Sequence, residues 1–261
     1  MKELASLSPY HQGKLVVTKS NKLLRATGKI SPNERKLLSI CVGKINPNDP
    51  VIKTTFTVTA KEFAERTGIH INNAYDALKD AEKQLFKREI TIFEPDPNIP
   101  GSTHTKMHWL SGVTYHKDES TITIGFGNEI IPHLYHLKTG NFTSYDFENV
   151  AYMKGEYSMV LCEYLLQFID TGYLVLKYSL LRELLDIGTK YPEVCDFVKR
   201  VIEPAIKEIN AESEIYVIGW RSVLVRGKTD RFEFRFKKKL VESKEKLPIK
   251  PRPLLNIKPR K

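Results

Sequence analysis

Apolar side chains recur at three- and four-residue spacing in some stretches of this chain and at every second position in others, and the two periods predict its elements. Ser31-Pro32-Asn33-Glu34 reads as an N-cap, a proline at the first helical position and a capping-box glutamate; Leu37, Leu38, Cys41, Val42 and Ile45 follow at helical spacing. Asn46 to Pro50 ends that helix, Thr54 to Val58 alternates as a short strand, and Thr59 caps a second helix that closes at Gly68. From Asn72 to about Lys87, Ala74, Leu78, Ala81 and Leu85 form one apolar stripe, with Asn73, Asp76, Lys79, Asp80, Lys83 and Lys87 off it. A third, longer helix is therefore predicted. The β-rich runs 89–93, 107–110 with 113–115, and 120–126 then read as an antiparallel meander. Helix, strand, helix, helix and β-ribbon is the order of a winged helix, whose third helix can enter a DNA groove.

The same order repeats further along. Tyr157 to Phe168 reads as a helix, Tyr173 to Leu176 as a strand, Ser179 to about Leu185 as a capped helix ending near Gly188, and Pro192 to Asn210 as a long helix. A last ribbon joins 215–220 to 231–236 through a loop containing Gly227 to Asp230. Glu62-Phe63 before Gly68 and Glu183-Leu184 before Gly188 occupy similar places about 120 residues apart. The fold class is thus α+β: two tandem winged-helix domains with β-ribbon wings. The polar, glycine-bearing stretch from Leu137 to Ser144 places the boundary. The expected division is a flexible N-terminus (1–14), a first winged helix (15–140), a second (141–240) and a basic, proline-rich tail (241–261).

In the long helix of the second unit, Val194, Phe197, Val198, Val201, Ile202, Ala205, Ile206 and Ile209 form the inner stripe. Glu193, Asp196, Lys199, Arg200, Glu203 and Lys207 lie outside it, and Pro192 suits the first turn. Exposed Arg or Lys on such a helix can donate to guanine O6 and N7, and carboxylates can accept from cytosine N4. Lys199 and Arg200 are the foremost base-reading candidates, with Lys190, Tyr191, Glu193, Asp196 and Lys207 beside them. A mixed-sign helix face also fits an ordinary solvated surface. The adjoining ribbon carries Arg221, Arg226, Lys228, Arg231 and Arg235 against Asp230 and Glu233, a local excess that suits phosphates. Alternation in Phe232 to Phe236 assigns the phenylalanines to packing. In the first unit the candidates are Asn73, Lys79, Lys83 and Lys87.

Composition narrows the class of function. The chain has 261 residues, 41 Lys and Arg against 31 Asp and Glu, and a net charge of +10. That excess sits at the ends: residues 1–30 hold six basic and one acidic side chain, and 237–261 hold ten and two. Charge alone therefore supports only a loose attraction to polyanions. No window is apolar enough for a membrane span, and no secretory leader is legible, so a cytoplasmic location is expected. Cys41, Cys162 and Cys195 are far apart among apolar neighbours and read as buried, reduced thiols. His104 with His108, and His133 with His136, lack an evident third ligand, so no metal site is assigned. There is no His-apolar-His triplet for a nicking enzyme, no nucleotide-phosphate loop and no nucleophile elbow. Neither catalysis nor a cofactor is expected.

Asp196 to Asn210, followed by Gly227 and the strand from Phe232 to Phe236, resembles the recognition-helix signature of the iteron-binding plasmid replication initiators of bacteria. Ser31 to Leu38, Thr59 to Phe63 and Tyr157 to Leu165 are also similar to that family, and the likeness covers roughly 15–237. It implies a protein whose second domain docks its long helix in the major groove of double-stranded DNA carrying direct repeats at a plasmid origin. The first domain would contact DNA as a monomer or pair as a homodimer in equilibrium with it. The resemblance also implies origin opening, recruitment of the host initiator and replicative helicase, and repression of its own gene through an inverted repeat at the promoter. The tail from Pro248 to Lys261 departs from the signature and is expected to be extended or disordered. A winged-helix transcriptional regulator without a replication role fits the same groove-reading residues. A scaffold using both domains for protein contacts is a third reading, separated by weak, salt-insensitive DNA affinity.

Overall fold

The computed structural model describes residues 14–93, 101, 103–117, 119–138 and 140–239. Nearly all of the expected flexible N-terminus, and the whole basic tail, lie outside the described residues.

The first unit opens with β1 (Val16–Ser20) and α1 (Asn21–Leu24), neither of which the hydrophobic pattern signals. α2 (Pro32–Gly43) starts with the predicted capping box: Ser31 Oγ accepts from the Glu34 amide at 3.3 Å, and the Glu34 carboxylate accepts from the Ser31 amide at 3.2 Å. β2 (Thr55–Thr59) leads into α3 (Ala60–Thr67), capped by Thr59 and closed by Gly68 at φ 69°. α4 (Ile71–Leu85) buries Ala74, Ala77, Leu78, Ala81 and Leu85. Arg88, just past its end, donates to both Glu34 oxygens at 2.9 and 3.0 Å, tying the exit of α4 to the start of α2.

The predicted meander is two sheets. β3 (Glu89–Ile92) pairs with β4 (Thr105–His108), whereas β5 (Leu110–His116) and β6 (Thr121–Phe126) join β2 in the order β2-β6-β5. The chain changes sheet at Trp109, because consecutive Trp109 and Leu110 are both buried and alternation cannot continue through them. A register shift between Leu110 and Gly112 completes the change.

Part of the stretch read as a polar boundary is structured. β7 (Phe142–Asp146) pairs antiparallel with β1, from Ser20 opposite Phe142 to Val16 opposite Asp146, and α5 (Glu148–Ala151) follows. The second unit then runs through α6 (Glu156–Gln167), β8 (Tyr173–Lys177) and α7 (Tyr178–Leu184). Ser179 lies inside α7 rather than capping it, because β8 passes directly into the helix with Lys177 at the cap position.

The long helix corrects the sequence reading most. It begins at Val194 with Glu193 as N-cap, so Pro192 lies outside it, and it runs as α8 (Val194–Phe197), a π-turn (198–202) and α9 (Glu203–Glu212). The Glu203 amide donates to the Val198 carbonyl, five residues back. Pro204 supplies the reason: it has no amide for the Arg200 carbonyl, and its ring would clash there in a regular helix, so the chain widens by one residue. β9 (Ile215–Val225) and β10 (Lys228–Lys238) are longer than predicted and reverse at Arg226 and Gly227 (φ 51° and 75°), within the tight two-residue turn that suits a twisted ribbon.

This three-stranded sheet, β8-β10-β9, turns Phe232, Phe234 and Phe236 inward as predicted. Phe232 meets Tyr178 and Phe197, with ring centroids 5.8 Å away in each case. The architecture is therefore two winged helices in tandem. Among the described residues no helix is long and apolar enough to cross a membrane.

Candidate nucleic-acid interface

The turn between α7 and α8 positions the predicted reading helix. Asp186, Gly188 and Tyr191 all have positive φ (48°, 57° and 52°), a conformation that disfavours a side chain at the two non-glycine positions. Arg182 over-determines it. Its guanidinium donates to the carbonyls of Gly188, Lys190 and Tyr191, each at 2.7 Å, and lies over the rings of Tyr178 and Phe197 at 5.6 and 5.8 Å. One side chain thus holds three carbonyls of the turn and the first buried aromatic of α8. Sequence reasoning missed Arg182; its spacing matches any surface arginine on a short helix, and only the folded turn supplies the acceptors.

Lys190, Glu193, Asp196, Lys199, Arg200 and Lys207 are all exposed, and Tyr191 is half-buried against the core. Lys199 and Arg200 fall within the π-turn, on the outer side of a helix whose inner side buries Phe197, Val201 and Ile202. Neither has an ion-pair partner among the described residues. Cys195 is exposed here too, contrary to its reading as a buried thiol, because Phe197 takes the core-facing position and turns Cys195 outward. Cys41 and Cys162 are buried, and burial pushes both thiols up.

On the ribbon the five basic side chains predicted to suit phosphates separate into two kinds. Arg221 and Arg231 both hold Glu233, at 2.7 and 3.2 Å, and Arg231 also reaches Asp230 at 3.3 Å. The hydrogen bond from Arg221, with another from Arg231, keeps the Glu233 carboxyl below the usual carboxylate range. Arg226 at the tip and Lys228 beside it are exposed, with no ion-pair partner among the described residues. Arg235, further back on β10, is likewise exposed with no ion-pair partner among the described residues, so the uncompensated charge of these five lies at the tip and at Arg235.

In the first unit Asn73, Lys79 and Lys83 are exposed on α4, and Lys87 is exposed just beyond it. Asp76 and Asp80 share the exposed surface, so this helix is less basic than the wing tip of the second unit. His108 faces Glu89 at 3.7 Å, and His133 is hydrogen-bonded to Ser20 at 2.8 Å. Among the described residues no group of three ligating side chains could hold a metal ion.

Comparison with known proteins places this geometry. Residues 16–166 match the family described as initiator replication protein, WH1, and residues 179–236 match initiator Rep protein, WH2. A replication initiation protein of Escherichia coli is 27% identical over 212 residues, which cover 78% of this chain and 65% of that protein. The PI protein of Escherichia coli is 22% identical over 245 residues, covering 83% of this chain and 80% of that one. Among solved structures, the Pi initiator protein in complex with iteron DNA shares the fold, with a TM-score of 0.74 at 20% identity over 87% of this chain and 98% of that chain.

Proposed function

This chain belongs to the initiator replication protein family, and on that premise we propose that it is a plasmid replication initiator that binds directly repeated origin DNA, the iterons, through both winged helices. The observation that carries the reading is the uncompensated Lys199 and Arg200 on an Arg182-braced helix, beside a wing that carries free charge at Arg226, Lys228 and Arg235. Lys199 and Arg200 donate to base edges in the major groove, and Glu193, Asp196 and Lys207 complete the reading face. Lys190, Tyr191, Arg226 and Lys228 lie along phosphates, while Arg221 and Arg231 add charge from behind their Glu233 bridge. In the first unit Asn73, Lys79, Lys83 and Lys87 make the second set of contacts. No cofactor is needed for any of this.

The division of labour is a first winged helix (15–140) for dimerisation and backbone contacts and a second (141–240) for sequence-specific binding. Origin opening, recruitment of the host initiator and replicative helicase, and autorepression as a dimer complete the proposal, supported by family membership. The solved complex of the Pi initiator with iteron DNA supports the DNA assignment by shared fold.

Footprinting the purified chain on DNA flanking its own gene, at near-physiological salt and over a range of protein concentrations, tests the reading. Several evenly spaced, protected direct repeats are expected. Protection of only an inverted repeat over the promoter would make the protein a transcriptional regulator, and no protection would overturn DNA recognition altogether.

A further inference from the structure

The two winged helices meet across a buried layer of complementary charge. Glu163, on the α6 helix that packs against α9, is 3% exposed. Its carboxylate accepts hydrogen bonds from Lys19 Nζ at 2.7 Å, from an Arg35 terminal nitrogen at 3.2 Å and from the Tyr145 hydroxyl. Lys19 is on β1 and Arg35 on α2 of the first unit, and Tyr145 is on β7, the strand paired with β1, so three elements converge on one side chain of α6. Lys36 of α2 is also 3% exposed, and burial holds its ammonium below the usual range against the opposing charge of Glu208 on α9. Glu208 in turn accepts from the amides of Lys154 and Gly155 at 2.6 and 3.0 Å, fixing the start of α6. Cations come from one unit and carboxylates from the other.

A buried ion cluster contributes little net stability compared with apolar packing of the same volume, because desolvating its charges offsets their attraction. Its distinctive effect is geometric. Apolar surfaces can slide with small loss, whereas a carboxylate held by three donors from three elements has one arrangement. We propose that the Glu163 cluster is the clamp that fixes the distance and angle between the two DNA-reading helices, and hence the base-pair spacing the protein accepts within its site. The spacing part rests on the DNA-binding function proposed above. Inserting one base pair turns one half of a site by about 35° against the other and moves it about 3.4 Å, which a clamped pair of winged helices cannot follow.

Two measurements on the full chain test this. Spin labels at the exposed Cys195 and at an introduced Lys61→Cys on α3 report the separation of the units without DNA. The otherwise unaltered protein is expected to give one narrow distance distribution, and Glu163→Gln one at least about twice as wide. Since Glu163→Gln leaves the buried Lys19 and the half-buried Arg35 without their carboxylate, the triple variant Lys19→Met, Arg35→Met, Glu163→Leu is measured in parallel; it removes the charges together, so it keeps the fold while losing the orientation. The second measurement compares affinity for a duplex carrying one protected repeat with affinity for the same duplex bearing one base pair inserted at its centre. The unaltered chain is expected to lose about tenfold or more, and the folded variants less than about threefold. An unchanged distance width or an unchanged insertion penalty overturns the clamp. A narrow distance distribution in a chain that favours no repeat overturns the DNA reading and the spacing role with it, while leaving the joint between the units intact.

Discussion

Arg182 and Arg200 illustrate how two arginines of one winged helix do different work. Arg182 spends its donors on the carbonyls of Gly188, Lys190 and Tyr191, so it shapes the turn and is not available to DNA. Arg182→Met should destabilise the fold by about 1–3 kcal/mol in urea denaturation, since charge-assisted bonds to main-chain acceptors are lost. It should also weaken specific DNA binding under conditions where the chain remains folded, because the start of α8 is no longer fixed; unchanged binding by the folded variant would remove Arg182 from the site. Arg200 is uncompensated, and Arg200→Ala should cost about 1–3 kcal/mol on the repeat and relax base preference, whereas Lys228→Ala should weaken repeat and random duplex alike and lower the salt slope by about one. Competition binding on both duplexes checks the pair, and equal losses for Arg200→Ala would sink its base-reading role.

Among the elements, α2 and the α8–α9 helix mark the two extremes of local encoding. The start of α2 is written in four consecutive residues, and Ser31→Ala should cost about 1 kcal/mol in urea denaturation with little change in DNA affinity, because Glu34 would keep its bonds to Arg88. A loss of DNA affinity matching that of Arg200→Ala would show that α2 is coupled to the interface. The reading helix carries a proline near its middle, and the fold answers with a π-turn rather than a break. Apolar periodicity survives that insertion because Phe197, Val201, Ile202, Ala205, Ile206 and Ile209 all remain buried. A regular helix is therefore legible in the pattern even though the backbone is not regular.

At the scale of the whole molecule, stability against acid should depend on the joint between the units. Burial pushes the Glu163 carboxyl up and the Lys19 ammonium down. For Glu163 two neighbouring cations and the hydrogen bonds of Lys19 and Tyr145 reverse the effect and hold it below its ordinary value; Lys19 has one carboxylate, shared with Arg35, and stays lowered. A carboxyl depressed in the folded state stabilises fully above its unfolded pKa, about 4.3, and that contribution is lost as pH falls through the folded value. Thermal unfolding scanned from about pH 6 to pH 2 should show a steeper acid loss for the unaltered chain than for Glu163→Gln, and parallel curves would mean that Glu163 is not ionised in the fold. The sequence by itself determined the helices, most of the strands, the repeated winged-helix order and the exposed side of the reading helix, because caps and apolar periods act over a few residues. β1 and β7 were hidden, since each is five residues long and gains its hydrogen bonds from a partner some 120 residues away. Arg182's acceptors are near in sequence but are turned onto it only by the unusual φ of the folded turn, Arg221 meets Glu233 only across the ribbon, and Lys19 and Arg35 reach Glu163 from the other end of the fold. Those assignments belong to the tertiary structure alone, because a charge's partner is fixed by where the chain returns in space and not by the residues beside it.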